Sequence, residues 1–361
     1  MICRKVVYRN FRNIAYAEIE PSEGVTVLNG PNGQGKTNTL EGIFLFAGGR
    51  SFRTVHENEL VRFGEEFAQI DMIYHDGHRD CTMSLRFVPR VGKRFCRKNG
   101  VPLTKLSEMV GNFRAVLFCP EHLAIVRDGP AVRRRFLDTA LSQTDPGYLR
   151  SLQKYNAVLN QRNALIKMAR DKHDDSIFLS TASLWSEQLA EEAEKIAATR
   201  AAYVEKLDAH VSAILSDMTG GTEKASLAYQ TPRTREEYLR LLTENTEREL
   251  RFGATLYGTH KDDILIHLGG REARSFGSQG QQRSIALAMK IAEGELSREV
   301  TGEYPVFLFD DILSELDASR RSYLLSGIEG RQVMITSCDE IEKDCKVYLV
   351  KDGEVSQRGG V

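Results

Sequence analysis

Short runs mixing apolar and polar residues, rich in β-formers, open the chain. Cys3 to Tyr8 and Ala15 to Ile19 flank Asn10-Phe11-Arg12-Asn13, and both read as strands. Val25-Thr26-Val27-Leu28 predicts a third strand, running directly into a glycine-rich loop. Beyond that loop, Leu40, Ile43, Phe44 and Phe46 predict a helix packed on a sheet. From about Gly64 to Leu117 the sequence alternates in short runs at Ala68 to Tyr74, Cys81 to Val88 and Arg94 to Lys98. Turn signals lie at Asp76-Gly77 and Asn99-Gly100. This stretch predicts a second, smaller β lobe.

The pattern then turns helical. Asp128-Gly129-Pro130 predicts a helix start reaching Leu141, and Asp145-Pro146 predicts another, since proline is favoured at the first helical position. Ser180 to Thr219 contains neither Gly nor Pro, and Trp185, Leu189, Ile196, Tyr203, Leu207, Val211 and Ile214 recur at steps of three, four or seven. This predicts one amphipathic helix of roughly 50–60 Å at about 1.5 Å per residue, ended by Gly220-Gly221. Its apolar stripe needs a partner, and Gly147 to Arg170 is the antiparallel candidate, forming a short helical arm. After about Gly258 α/β character resumes, with strands predicted at Ile264 to Leu268, Pro305 to Phe309, Val333 to Thr336 and Val347 to Val350. The expected division is an α/β lobe from residues 1–63 plus 255–361, a β lobe at 64–126 and a helical arm domain at 127–254.

Composition narrows this little. Charged residues make up 27% and hydrophobic residues 41%, an ordinary globular balance. With a formal net charge of −1, any affinity for nucleic acid must come from a local basic patch. Met1-Ile2-Cys3-Arg4-Lys5 lacks the apolar run of a signal peptide, and no stretch reaches the ~18 apolar residues of a membrane span. The six cysteines include no C-x-x-C pair, so neither a zinc site nor a disulfide framework is suggested. A cytoplasmic protein with reduced thiols is expected.

The chemistry concentrates in three segments. Gly30-Pro31-Asn32-Gly33-Gln34-Gly35-Lys36-Thr37 fits G-x-x-x-x-G-K-[ST] at every fixed position, between a predicted strand and a predicted helix. Gly30, Gly33 and Gly35 free the backbone so that its N–H groups can curl around phosphate oxygens. Lys36 would reach the β- and γ-phosphates of ATP, and the Thr37 hydroxyl would coordinate Mg²⁺. Far along the chain, Val306-Phe307-Leu308-Phe309-Asp310-Asp311 is an apolar strand ending in two carboxylates. Asp310 would hold the hydrated metal and Asp311 would orient or deprotonate an attacking water. Acid pairs after apolar strands are common, so this one gains meaning only from Lys36 and Thr37.

The third segment, Ser275-Phe276-Gly277-Ser278-Gln279-Gly280-Gln281-Gln282-Arg283, precedes a helix predicted from Ser284 to Ala292. Ser278, with the backbone at Gly280 and Gln281, would form a second anion site. Two phosphate sites per chain have a natural solution, in which each chain's second site completes its partner's first. That is the sandwich dimer of ABC-type ATPases, and Ser314-Glu315-Leu316-Asp317 fits the segment that crosses such an interface.

Further segments carry a family resemblance. Asn10-Phe11-Arg12-Asn13-Ile14, the phosphate loop, Cys119-Pro120-Glu121-His122-Leu123, and Gly129-Pro130 with Arg133-Arg134-Arg135-Phe136-Leu137-Asp138 are four of them. Gln161-Arg162-Asn163, Gly258-Thr259-His260-Lys261-Asp262-Asp263 and Ser278 to Arg283 complete the set. Together they resemble the RecF family of bacterial recombination mediators, from about residue 3 to 355. The resemblance implies an ABC-type P-loop ATPase head like those of Rad50 and SMC proteins, with a small β lobe and an inserted arm. It also implies ATP-dependent homodimerisation, slow hydrolysis, DNA binding at gaps or junctions, and cooperation with RecO and RecR in loading RecA. It places nucleotide binding on Gly30 to Thr37, a trans phosphate contact on Ser278, and Arg12 near the nucleotide.

Two departures from the wider ABC pattern stand out. The residue after Asp310 is Asp rather than Glu, and the histidine expected after the next strand is missing, since Val333-Met334-Ile335-Thr336-Ser337-Cys338 offers only hydroxyls. His122 and His260 read as structural hydrogen-bonding residues. Arg90, Lys93, Arg94, Arg97 and Lys98 crowd a predicted hairpin and are the candidate DNA contacts, although charges also blunt exposed sheet edges. Arg133, Arg134 and Arg135 point in three directions on a helix, so at least one is expected to form an internal salt bridge. The nucleotide-binding subunit of a transporter and an SMC-type structural tether share the phosphate motifs and remain as alternatives. The arm argues against the first, and its shortness against the second.

Overall fold

The computed structural model describes residues 1–54, 56–230, 232–327, 330–339 and 345–358. Its strands before the arm are β1 (Ile2–Phe11), β2 (Ile14–Ile19), β3 (Val25–Asn29), β4 (Ala68–His75), β5 (Asp80–Val88), β6 (Lys93–Lys98), β7 (Val101–Leu103) and β8 (Ala115–Phe118). Those that follow are β9 (Ala225–Tyr229), β10 (Ile264–Leu268), β11 (Arg271–Glu272), β12 (Val306–Phe309), β13 (Val333–Ser337), β14 (Lys346–Lys351) and β15 (Glu354–Gln357). The chain forms two compact units. One comprises Met1–Ala124, Asp217–Gly220 and Ala286–Val361, and the other Ile125–Ser216 and Gly221–Ile285.

The first unit holds two sheets. One has the order β15-β14-β3-β13-β12-β8, parallel except for β15, which pairs antiparallel with β14. The carboxyl ends of β3, β13 and β12 therefore emerge side by side, where an open parallel sheet places its ligands. The other sheet is antiparallel, in the order β2-β1-β4-β5-β6-β7. β1 and β2 thus join the β lobe, although they lie outside the 64–126 segment, while β8 lies inside that segment and joins the parallel sheet. The patterns explain the exchange. β1 buries Cys3, Val6, Tyr8 and Phe11 and exposes Arg4 and Arg9, so it suits a sheet with one wet face. All four residues of β8 are buried, which only a sheet covered on both faces allows.

The helix Lys36–Gly48 is buried over almost its whole length and shares one core with both sheets. Tyr8 donates its hydroxyl to the Thr39 carbonyl at 2.7 Å, and a Cβ on Gly42 would collide with the Tyr8 ring, so the helix packs on β1 only because residue 42 is glycine.

In the second unit the Asp145 carboxylate caps helix Pro146–Lys172 by accepting from the Gly147 and Tyr148 amides. The long helix spans Ala182–Met218. Lys154 meets Glu192 at 2.7 Å and Tyr148 meets Arg200 at 2.9 Å, so these two helices run antiparallel. A small antiparallel sheet, β11-β10-β9, belongs to the same unit. Among the described residues no helix is long and apolar enough to cross a membrane.

Candidate nucleotide-binding site

β3 ends at Asn29, and the loop Gly30 to Gly35 leads into the helix that starts at Lys36. Three glycines carry this turn for different reasons. A Cβ on Gly30 would collide with the Val350 carbonyl oxygen, while Gly33 and Gly35 adopt φ of +81° and +118°. Asn13 braces the loop from outside: its Nδ2 donates to the Gln34 carbonyl at 3.0 Å, and its Oδ1 accepts from Asn38 at 2.7 Å. The Lys36 ammonium is buried and donates to the carbonyls of Gly30 at 2.5 Å and Pro31 at 2.9 Å, with the Cys338 thiol 3.3 Å away. A buried positive charge thus sits against the glycine-rich loop, an arrangement that suits phosphate oxygens.

The acid pair lies two strands away, beyond β13. The Thr37 hydroxyl donates to Asp310 Oδ1 at 2.9 Å, so the last residue of the loop motif meets the carboxylate at the end of β12. Asp310 is buried, and burial pushes its pKa up, with the Asp311 and Glu121 charges adding to the effect; hydrogen bonds from Thr37 and Thr336 oppose it. A desolvated carboxylate beside a hydroxyl is a hard-oxygen donor set that fits Mg²⁺, with Thr37 and Asp310 as the protein ligands. Asp311 has φ of +50°, and its amide donates to Thr336 Oγ1 at 2.7 Å.

Ser278 belongs to the other unit. The helix that follows runs over Gln279–Thr301, beginning five residues before the predicted Ser284. Ser278 caps it: Gln281 N–H donates to Ser278 Oγ at 3.3 Å, and the Ser278 amide donates to Gln281 Oε1 at 2.9 Å. Capping rather than apolar periodicity sets the start, which is why the hydrophobic pattern alone places it too late. Ser278 is exposed, with Gly280 and Gln281 in the first turn behind it.

The family model described as RecF/RecN/SMC N terminal domain matches residues 2–343. A curated relative from Lactobacillus johnsonii, a DNA replication and repair protein RecF, is 38% identical over 97% of each chain. The protein of the same description from Clostridium acetobutylicum is 36% identical over 99% of this chain and 100% of its own. The chain belongs to the RecF family. The solved structure of the recombination mediator protein RecF with ATP superposes with a TM-score of 0.91 at 32% identity, covering 99% of this chain and 98% of that one. An Smc head from Pyrococcus furiosus, with a TM-score of 0.60 at 17% identity over 99% of this chain and 96% of that one, shares the fold. The fold is therefore that of a RecF and SMC type ATPase head.

Several RecF-family segments do structural duty. Arg133 forms a bidentate pair with Asp263, at 2.6 and 2.8 Å, and Arg134 donates to the Asp262 carbonyl at 2.7 Å. Arg162 of the Gln161-Arg162-Asn163 segment is fully buried, bonding Glu249 at 2.5 Å and Thr255 at 2.7 Å. His260 accepts from the Tyr155 hydroxyl on Nδ1 at 2.6 Å and donates from Nε2 to the Thr255 carbonyl at 3.1 Å. His122 Nδ1 accepts the Cys119 amide at 3.3 Å.

Two sequence expectations meet side-chain partners that the pattern did not reveal. Arg12 grips fully buried Glu41 through two bonds of 2.9 and 2.7 Å and donates to the Glu59 carbonyl at 2.9 Å, so its guanidinium is engaged in an ion pair. In the hairpin, alternation along β6 splits the five candidate DNA contacts. Arg94 turns inward over the Phe87 ring, donates to the Gly49 carbonyl at 2.6 Å and pairs with Glu57, and Lys98 donates to Asn112. Lys93 and Arg97 lie on the exposed face with Phe95, and Arg90 is exposed beside Glu66 at 2.7 Å. Sequence reasoning missed Asn13, Thr336 and Cys338 as neighbours of the site. Asn13 lies in a family segment whose pattern gives it no role, and the other two were visible only as the residues replacing a histidine.

Proposed function

We propose that this RecF-family chain is an ATP-dependent DNA-binding switch of replication and recombinational repair, with weak ATPase activity. The observation that carries the reading is the Thr37–Asp310 contact, which joins the phosphate loop after β3 to the acid pair after β12. Glycine-freed N–H groups and Lys36 would bind the β- and γ-phosphates, Thr37 and Asp310 would hold Mg²⁺, and Asp311 would orient the attacking water. The metal would supply charge neutralisation at the phosphates when bound. Asp311 is one methylene shorter than glutamate, which favours slow turnover and a long-lived closed state.

Ser278, exposed at a helix start, suits a γ-phosphate presented by a second copy of the chain, giving a head-to-head dimer with two nucleotides between the copies. ATP then shifts an oligomeric equilibrium, because the trans contact exists only in the dimer. DNA would be held by the exposed cations Arg90, Lys93 and Arg97 of each copy. The relatives are described as DNA replication and repair proteins and, in a solved structure, as a recombination mediator of the RecFOR pathway. Beyond those descriptions, the RecF resemblance implies gapped or junction DNA as the substrate, RecO, RecR and RecA as partners, and the cytoplasm as the location.

Analytical ultracentrifugation with and without ATP and gapped DNA tests the reading. The native chain is expected to dimerise with ATP, Ser278→Arg to bind ATP but stay monomeric, and Asp311→Asn to dimerise more persistently. Normal ATP-driven dimerisation of Ser278→Arg would exclude the sandwich.

A further inference from the structure

Asp311 occupies the left-handed backbone region, uncommon outside glycine although aspartate enters it more readily than most residues, with φ of +50°. Such a conformation persists only where the surroundings fix it, and here the fixing groups are few. The Asp311 amide donates to Thr336 Oγ1 at 2.7 Å, and the Ser314 hydroxyl reaches the Asp311 carbonyl at 2.9 Å and its carboxylate at 3.2 Å. Thr336 is buried, and its one hydroxyl proton goes to Asp310 Oδ1 at 2.9 Å, the same oxygen that accepts from Thr37. A single hydroxyl therefore ties the backbone of one acid to the carboxylate of the other.

Register explains why residue 336 stands there. β13 pairs in parallel with β12, with Ile335 opposite Phe309, so Thr336 lies beside the end of β12 where the acids begin. A β-branched side chain in a strand has little χ1 freedom, so the hydroxyl is held in place before any ligand arrives.

We infer that Thr336 is a positioning residue for ATP hydrolysis: its hydroxyl sets the backbone of Asp311 and thereby the direction in which that carboxylate presents itself to water. It acts through Asp311 rather than on the nucleotide or the water itself. In this head a buried hydroxyl thus organises the acid pair from the strand after which the wider ABC pattern carries a histidine. The inference rests on the ATPase reading above.

Thr336→Val removes the hydroxyl and keeps the volume and branching, whereas Thr336→Ser keeps the hydroxyl. Three readouts separate positioning from packing: ATP affinity with a fluorescent nucleotide, kcat and KM for hydrolysis, and hydrogen exchange at the Asp311 amide without nucleotide. In Thr336→Val, kcat should fall by roughly 10- to 100-fold, the scale of losing one group that orients a catalytic base, with ATP affinity within about twofold. The Asp311 amide should exchange faster in that variant. Thr336→Ser should restore both kcat and protection. A Thr336→Val variant with native kcat overturns the role, as does equal loss in the Val and Ser variants, which would mark a packing effect. A native chain that binds ATP without hydrolysing it overturns the enzymatic reading itself, and this role with it.

Discussion

Arg12→Ala separates a nucleotide contact from a structural one. The guanidinium makes a two-point bond with Glu41, whose side chain is 0% exposed, while that of Arg12 is 14% exposed. Removing it strands a carboxylate in the core of the first unit. Breaking a buried pair from one side costs about 3–5 kcal/mol. Glu41 keeps the Ser51 hydroxyl and an Arg53 guanidinium 3.7 Å away, so the expected cost is nearer about 2–3 kcal/mol. Alanine is the right replacement because Arg12 has φ of +55° and alanine retains the Cβ, leaving backbone strain unchanged, whereas glycine would relieve it. Urea unfolding without nucleotide should show a lower midpoint at unchanged slope, with a modest effect on ATP affinity. An unchanged midpoint together with lost ATP binding would refute the structural assignment and return Arg12 to the nucleotide.

Lys36→Ala should weaken ATP binding by about 100-fold or more, the scale of losing a charge-assisted bond in a desolvated site, with the fold intact by circular dichroism; native affinity would remove the phosphate-loop reading. Lys93→Glu with Arg97→Glu should flatten the salt dependence of duplex binding by about 0.9 in log–log slope for each phosphate no longer neutralised, equally for all sequences, and an unchanged slope would place the DNA elsewhere. The expectation excludes Arg94, because reversing it would break its bonds to Gly49 and Glu57 and unsettle the lobe. His260 is held neutral, its pKa lowered by burial from 6.5 to about 4. Its unfolded form therefore takes up a proton first as pH falls. The contribution is complete above about pH 6.5 and is lost progressively toward about pH 4, by up to about 3 kcal/mol. His260→Gln should lack that component in stability measured from pH 7 to 4, and an identical slope would contradict it.

How far the sequence could be read depended on whether the signal was local. The phosphate loop announces itself within a few residues and the long helix through an unbroken stripe, and the strand at Ile264–Leu268 was placed to the residue. β8 escaped because four apolar residues without alternation carry no periodicity, and its place in the parallel sheet depends on pairing with β12, far along the chain. The allegiance of β1 and β2 to the lobe was hidden for the same reason. In the hairpin, the five cations read as one patch until the pleat divided them, turning Arg94 and Lys98 toward the core. Thr336 carried no signal because its meaning comes from a hydroxyl shared between two residues on a neighbouring strand.

The segments that carry the family resemblance also differ in what they do, and the difference follows from charge. Arg133 with Asp263, Arg162 with Glu249, and Arg12 with Glu41 each bring a basic residue in one such segment to a carboxylate remote in sequence. Arginine suits this task because its planar fork binds a carboxylate at two points and holds its charge when desolvated. Such pairs add little net stability, since desolvation offsets most of the attraction, but an arginine left without its carboxylate is heavily penalised. Each pair therefore rejects arrangements of the chain in which its two segments fail to meet. The phosphate loop works by the opposite principle: its residues need no remote partner to be recognisable, only a strand before and a helix after. A motif whose chemistry faces a ligand can be read from the sequence alone, whereas one whose chemistry faces another part of the chain acquires its meaning only once that part is located.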